Sequence, residues 1–325
     1  MSLPSSLAGR LALPVIASPL FIISNPDLVI AQCTAGICGT FPALNARPAP
    51  MLESWLRQIR SALDDWDAHH PEAPAAPFVV NQVVHKSNER LDHDLELCVK
   101  YRVPLVITSL GAQREIYDAI HGYGGLVLHD VINTGFARKA IDKGADGLIA
   151  VAAGAGGHAG TMSPFALVQE IRQWFDGPLV LGGCIASGGA ILAAQAMGAD
   201  LAYIGSPFIA THEANADQRY KQAIVDATAD EIVYTKVFTG VHANFLRAGI
   251  VASGLDPDKL PETDPAEMAW SAGGSSRAKV WRDIWACGQG VGTINEIVKA
   301  AEFIARLKRE YARARQRLAD LAVGG

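Results

Sequence analysis

Short apolar runs alternate with longer amphipathic segments from the start of the chain to about residue 210, and this alternation constrains the fold more than any other feature. Many of the runs are rich in β-branched residues, and all have the length of buried strands. Helical patterns between them include residues 51–66, 89–101, 113–121, 134–143 and 164–175. Strands that alternate with helices pair in parallel through right-handed crossovers. Eight runs are predicted as strands, at residues 14–18, 37–41, 78–83, 105–110, 125–131, 147–152, 179–183 and 201–205.

A sequence pattern that occurs twice in the chain supports a closed barrel built from repeated units. Segment 143–151, KGADGLIAV, resembles segment 197–205, MGADLAYIG, and in both a helix end is followed by Gly, Ala-Asp and a strand. The last five strands begin mostly about twenty residues apart. Together with the count of eight, this spacing favours an α/β fold of the (β/α)8 TIM-barrel type over an open doubly wound sheet.

The alternation stops after residue 212, which predicts a second, smaller and mainly helical domain at residues 213–292. This stretch holds a Pro/Asp-rich turn region at 256–265 and a Gly/Ser loop at 273–276. Residues 293–321 then have apolar positions every three or four residues, which predicts one long helix that packs on the barrel. The barrel is therefore assigned to residues 1–212 plus 293–325.

Charge and cysteine usage exclude several classes of protein. The chain has 28 Lys and Arg against 33 Asp and Glu, a net charge of −5, so we expect no nucleic acid and no anionic membrane as partners. Five cysteines without a CxxC pair indicate reduced thiols. Two uncharged stretches, 11–26 and 177–199, contain Pro or Gly that would interrupt a spanning helix. We expect a cytoplasmic protein and leave its oligomeric state open.

Small residues follow the last two strands, where a barrel carries its site. Gly182, Gly183 and Cys184 follow the seventh run, and Gly205 and Ser206 follow the eighth. Backbone N–H groups in such loops suit a phosphate, and these are the usual phosphate loops of a TIM barrel. Tight turns that simply need glycine are the alternative.

A glycine-rich loop with one imidazole, AAGAGGHAG at 152–160, follows the sixth run. It allows a flat ligand to approach the backbone, and His158 is the predicted functional side chain. His129, at the end of the fifth run, is a second candidate. No HExxH, CxxC, GxSxG or Walker motif is present, so no metal site is predicted and an organic, phosphate-bearing cofactor is favoured.

Three segments together resemble the nitronate monooxygenase family, formerly called 2-nitropropane dioxygenases. They are AGAGGHAG at 153–160, LVLGGCIASGGAILAAQAMGADLAYIGSPFIAT at 179–211 and IWACGQGVG at 284–292. The similarity covers nearly the whole chain. The same superfamily includes NADH:quinone reductases and flavin-dependent enoyl-acyl-carrier-protein reductases.

The resemblance implies an FMN-containing barrel with a second domain that caps the site, and it makes His158 the active-site histidine. It places Gly182, Gly183, Gly205 and Ser206 around the phosphate of FMN. The residues that it places beside the flavin ring are Ala17, Ser18, Pro19, Asn81, Gln82, Gly156, Gly157 and, from the late motif, Gln289.

The chain departs from the family at three places. Leu20-Phe21 follow the first-strand proline, where relatives often have Met and a small residue. Gly154 stands where many relatives carry a glutamate. Some relatives place a Lys near the flavin N1, where this chain has His129-Asp130; His129 is a candidate substitute that would stabilise the reduced flavin.

By this resemblance the chain is expected to be an FMN-dependent nitronate monooxygenase. Its substrates would be O2 and a small nitronate, similar to propionate 3-nitronate, and its products a carbonyl compound and nitrite. His158 would bind the nitronate oxygens, or act as general base toward a neutral nitroalkane. An NAD(P)H-dependent reductase of quinones or enoyl thioesters, and a flavin-binding protein without turnover, are the alternatives.

Overall fold

The computed structural model describes residues 7–260 and 284–323, and its centre is a parallel sheet of eight strands within those residues. The sheet closes into a barrel because Cys38, just before the second strand, bridges to Ile16 in the first. Ala17 N donates to Cys38 O at 2.8 Å and Cys38 N donates to Val15 O at 3.1 Å. The predicted TIM barrel is confirmed. Its strands are β1 (Val15–Ala17), β2 (Thr40–Pro42), β3 (Val79–Val83), β4 (Leu105–Ser109), β5 (Leu126–Val131), β6 (Gly147–Val151), β8 (Leu179–Gly182) and β9 (Leu201–Ile204).

Helices cover the outside of the barrel, and the repeated GAD segments join them to the strands. Gly144 and Gly198 end two helices in the left-handed conformation, with φ of 108° and 113°. Asp146 then accepts from Val127 N at 2.7 Å, and Asp200 accepts from Leu179 N at 2.8 Å. The barrel helices are α1 (Pro26–Thr34), α2 (Met51–His69), α3 (Leu91–Lys100), α4 (Arg114–His121), α5 (Thr134–Lys143), α6 (Pro164–Arg172), α7 (Gly188–Met197) and α8 (Ser206–Ile209).

Alternate residues of each strand point to opposite faces, which separates an inner from an outer core. The inner core fills the barrel with side chains such as Ile16, Ile107, Leu128 and Ile149. The outer core lies between strands and helices. The inward-facing set of each strand therefore points toward the cavity where it continues to the carboxyl end of that strand.

Residues 213–260 contribute two strands to a small antiparallel sheet that the sequence patterns did not reveal. β10 (Ile232–Thr235) pairs with β11 (Ala243–Leu246), and β11 pairs with β7 (Gly157–His158) from the glycine-rich loop. Two helices, α9 (Gln218–Asp226) and α10 (Arg247–Ala252), flank this sheet in sequence. The predicted Gly/Ser loop at 273–276 lies outside the described residues. The domain boundaries at 212 and 292 stay a prediction.

The last helix begins later than its apolar pattern predicts. α11 (Ala300–Val323) starts at Ala300, and the prediction of helix from residue 293 is wrong for the segment that precedes it. Val298 forms a parallel bridge with Thr211, and Glu213 accepts from Ala300 N at 3.0 Å. Phe303, Ile304 and Leu307 are buried. No helix within residues 7–260 and 284–323 is long and apolar enough to cross a membrane.

Candidate active site

A cavity of about 510 Å³ opens at the carboxyl ends of the barrel strands, a volume typical of small-molecule sites. The loops after β1, β6, β8 and β9 and the segment 286–290 line it. Most of the residues predicted for the site meet here. Those that line the cavity are Ser18, Pro19, Asn81, His129, Gly156, Gly157, His158, Gly182, Gly183, Gly205 and Ser206.

Three predicted cofactor residues do not line this cavity. Gln82 follows the inward-facing Asn81, so it points outward, where its Nε2 lies 3.2 Å from Cys98 Sγ. Ala17 is likewise part of the outer core. Gln289 lies behind the lining, with its Oε1 3.9 Å from the Sγ of Cys184. The two-residue period of a strand turns the side chains of Ala17 and Gln82 away from the cavity, and their contact with a cofactor stays a prediction.

Strand pairing positions His158. It belongs to β7 and pairs with Ala243 of β11, so residues 213–260 hold it over the barrel. Its Nε2 lies 3.2 Å from Thr239 Oγ1, and the Thr239 hydroxyl donates to Val241 O at 2.7 Å. The Thr239 oxygen therefore accepts from His158 Nε2–H, which leaves the lone pair of the neutral ring on Nδ1. Burial lowers the pKa of His158 to about 4.

The glycine-rich loop is packed tightly against the late segment. A Cβ on Gly156 would lie 2.8 Å from Gly288 N, and a Cβ on Gly288 would lie 2.7 Å from Gly154 O. Gln289 N donates to Gly154 O at 2.9 Å, and Gly288 N donates to Ser206 Oγ at 2.9 Å. These glycines are thus needed where two backbones cross, in addition to any approach by a ligand.

The loops after β8 and β9 expose bare backbone to the cavity. Gly183 and Cys184 have positive φ of 137° and 56°. A Cβ on Gly182 would contact the Tyr203 ring at 3.2 Å, and one on Gly205 would lie 3.3 Å from Ser18 Cβ. This conformation, beside the start of α7, is the kind of cradle that binds phosphate in TIM barrels.

The opposite side of the cavity has a polar floor, of which only Asn81 was predicted from the sequence. We define the floor cluster as Asn81, Ser109 and Asp130, which continue the inward-facing sets of β3, β4 and β5. Asn81 Nδ2 donates to Ser109 Oγ at 2.7 Å, and the Ser109 hydroxyl and the Leu110 amide donate to the Asp130 carboxylate. Burial nevertheless raises the pKa of Asp130 to about 6.

His129 also lines the cavity, although it lies on the outward-facing set of β5. Its Nδ1 is 2.7 Å from Thr108 Oγ1 and 3.2 Å from the Tyr117 hydroxyl. Burial lowers its pKa to about 4, so the ring is neutral at pH 7. Within residues 7–260 and 284–323, no group of three or more His, Cys, Asp or Glu side chains is arranged to hold a metal ion.

Comparison with known proteins decides the family. The nitronate monooxygenase family matches residues 8–310, across the barrel and the segments that cover its cavity. The chain belongs to the nitronate monooxygenase family. It is 25% identical to a nitronate monooxygenase of Paraburkholderia phytofirmans, over 95% of each chain. It is therefore a member of a family of flavin-dependent oxidoreductases.

Solved structures agree with this membership. A nitroalkane oxidase from Streptomyces ansochromogenes superposes with a TM-score of 0.78 at 25% identity, over 97% of this chain and all of that one. FabK from Thermotoga maritima superposes with a TM-score of 0.76 at 22% identity, over 97% of each chain, which shows a shared fold.

The structure explains one departure from the family pattern, the glycine at position 154. Where many relatives carry a glutamate, Gly154 has a φ of 83°, and a Cβ there would lie 2.8 Å from Gln289 Oε1 and also clash with Cys184 Sγ. Cys184 and Gln289 thus fill the space that a larger residue at position 154 would need. The free thiol of Cys184 is exposed, whereas the other four cysteines are buried.

Proposed function

We propose that this protein is an FMN-dependent nitronate monooxygenase, which converts alkyl nitronates and O2 into a carbonyl compound and nitrite. The observation that carries the proposal is the position of His158, which two antiparallel strand pairings hold above the carboxyl ends of the barrel strands. This imidazole lines the same cavity as the phosphate-type loops at Gly183 and Gly205.

The residues present fit FMN. The cradle after β8 and β9 would hold the phosphate by backbone N–H groups, and Asn81 would offer its amide group to the polar edge of the ring. Ser18, Pro19, Gly156 and Gly157 would border the ring. When bound, FMN would supply the electron acceptor for the nitronate and the route to O2. Because His129 is neutral, it would stabilise a reduced flavin as a hydrogen-bonding dipole rather than as a charge.

His158 would bind the oxygens of the nitronate. Thr239 fixes the ring through Nε2, and the negative charge of a bound nitronate would favour the protonated form of the imidazole. No Lys or Arg is among the described residues that line the cavity, which leaves His158 and backbone amides to compensate the negative charge. Leu110, Ile132 and Phe136 form an apolar rim that suits the alkyl part of the substrate.

The test is the oxygen consumption and nitrite release of the FMN-loaded protein supplied with ethyl nitronate. We expect the products to be nitrite and acetaldehyde. We expect no oxidation of NADH or NADPH at a rate that matches the formation of these products. Rapid anaerobic bleaching of the flavin by NADH or NADPH, with no nitrite from the nitronate, would instead identify a reductase. Failure of both substrate classes to reduce the flavin would point to a binding protein without turnover.

A further inference from the structure

We propose that Asp130 is a catalytic general base that removes the α-proton of a neutral nitroalkane, so that the enzyme makes its own nitronate inside the cavity. This inference rests on the proposed function, because the nitronate formed is the substrate of that reaction. It assigns to Asp130 a step that His158 was expected to perform.

The geometry of β4 and β5 carries the proposal. Asp130 continues the inward-facing set of Leu126 and Leu128 at the carboxyl end of β5, and its side chain lines the cavity that also receives His158. The Ser109 hydroxyl and the Leu110 amide donate hydrogen bonds to the carboxylate. Leu110 has a φ of 68°, a strained conformation for a leucine, and strain of this kind clusters at functional sites.

Asn81 completes the support. Its amide donates to Ser109 Oγ at 2.7 Å, so the Ser109 hydroxyl proton is directed to Asp130. The carboxylate is therefore oriented by two donors, yet it has no cationic partner among the described residues that line the cavity. A carboxylate that is fixed, desolvated and not neutralised by a cation is suited to accept a proton.

The step balances without a redox partner. The α-carbon of the nitroalkane loses a proton to an Asp130 carboxylate oxygen, the C–H electron pair forms the C=N bond, and the negative charge moves to the nitro oxygens. His158 binds those oxygens as the charge develops. Oxidation of the nitronate then follows as in the proposed function.

Asp130 is a better base for this step than His158. Its pKa of about 6 leaves it mostly ionised at pH 7, whereas a pKa of about 4 makes the neutral His158 ring the weaker acceptor. The titratable groups near the carboxylate are His129 on its own strand, Tyr117 of α4 and Tyr203 of β9. His129 is neutral at pH 7, and burial raises the pKa values of both tyrosines, so Asp130 is the group of this set that changes charge near pH 6.

The experiment compares two substrates on the FMN-loaded protein, freshly diluted neutral nitroethane and preformed ethyl nitronate. For Asp130→Asn we expect the ratio of kcat/KM for nitroethane to kcat/KM for ethyl nitronate to fall by about 100-fold or more. Deuterium at the α-carbon should slow the wild-type reaction with nitroethane. The same labelling of ethyl nitronate should leave its rate unchanged, because no proton is removed from it.

Ser109→Ala is a second variant, and its measured effect is a shift in a pH profile. If Asp130 had only a structural role, this substitution would not shift the profile. The Ser109 hydrogen bond favours the charged form of Asp130, so its loss should raise the pH midpoint of kcat/KM for nitroethane by about one unit. An unchanged ratio in Asp130→Asn, or an equal loss on both substrates with an altered flavin spectrum, would overturn the inference. So would a wild-type enzyme that accepts only the nitronate, whereas turnover of neither substrate would overturn the proposed function itself.

Discussion

The two sides of the cavity differ in what they expose, which is glycine backbone on one side and polar side chains on the other. On the side of β6, β8 and β9, glycines bring backbone to the surface, and Gly154, Gly156 and Gly288 cross one another too closely for any Cβ. On the side of β3, β4 and β5, the floor cluster presents side chains held by hydrogen bonds. The glycine side can bind a ligand by shape and backbone N–H groups, whereas the polar floor can move a proton. Variants that affect one side only should separate these two roles.

The largest expected effect on stability lies on the glycine side. Gly288→Ala would place a Cβ 2.7 Å from Gly154 O and 2.8 Å from Gly156 N, and neither backbone can move aside cheaply. We expect the free energy of unfolding to fall by about 3 kcal/mol, with loss of FMN binding. Denaturant titration measures the first effect and flavin fluorescence the second.

Gly189→Ala is the matched control. A Cβ at this position in α7 meets no atom closer than Ser187 Oγ at 4.0 Å. It should stabilise the protein by about 0.5–1 kcal/mol, because alanine loses less backbone entropy than glycine in a helix. If the two variants behaved alike, the close backbone crossing would not be what requires glycine at position 288.

On the polar floor the expected effect has the opposite sign. The pKa of Asp130 rises from 3.8 to about 6 on folding. Ionisation of this carboxyl therefore lowers the free energy of unfolding as the pH rises from about 4 to about 6, and the full loss is present above pH 6. Asp130→Asn should therefore raise the free energy of unfolding at pH 7 by roughly 2 kcal/mol. Denaturant titrations from pH 4 to pH 7 measure the effect.

The gain should disappear near pH 4, where the wild-type carboxyl is protonated in the folded state. Asp65→Asn, at a side chain that is 77% exposed, is the control and should leave stability unchanged. A gain for Asp130→Asn that stayed constant from pH 4 to pH 7 would show that ionisation of this carboxyl is not its cause.

The smallest effect is expected at the apolar rim. Phe136 lines the cavity and is 49% exposed, so it can still bury surface against an alkyl chain. Phe136→Ala should lower kcat/KM for hexyl nitronate several-fold relative to ethyl nitronate, a loss of about 1 kcal/mol of apolar contact. Phe165→Ala removes an aromatic ring that is 61% exposed on α6 and should leave this ratio unchanged. Equal ratios in both variants would remove Phe136 from the substrate site.

The sequence predicted the glycine side well and the polar floor poorly, for a physical reason. Runs of glycine at strand ends are rare enough to be noticed, whereas Ser109 and Asp130 are single polar residues after apolar strands. Their signal was the alternation of Leu105, Ile107 and Ser109, and of Leu126, Leu128 and Asp130, which sets all six on the inward-facing side. The same alternation would have turned Ala17 and Gln82 away from the cavity.

The eight barrel strands were predictable because each is a separate apolar run, but the elements over the cavity were not. β10 and β11 are only four residues long each, and β11 takes its second partner from the distant β7. The start of α11 was misplaced because Ile294 and Ile297 continue the helical period, while Val298 pairs with Thr211 instead. Contacts distant in sequence decide these elements, and local patterns do not encode them.

The most direct test of the proposed site is anaerobic mixing of the FMN-loaded protein with ethyl nitronate, followed by flavin absorbance, for the wild type and His158→Asn. The wild-type flavin should bleach rapidly. His158→Asn should bind the same amount of FMN, but its flavin should bleach at least about 100-fold more slowly than the wild-type flavin. The reason is that the imidazole that Thr239 orients is missing. Equal bleaching rates in the two proteins would contradict the role of His158.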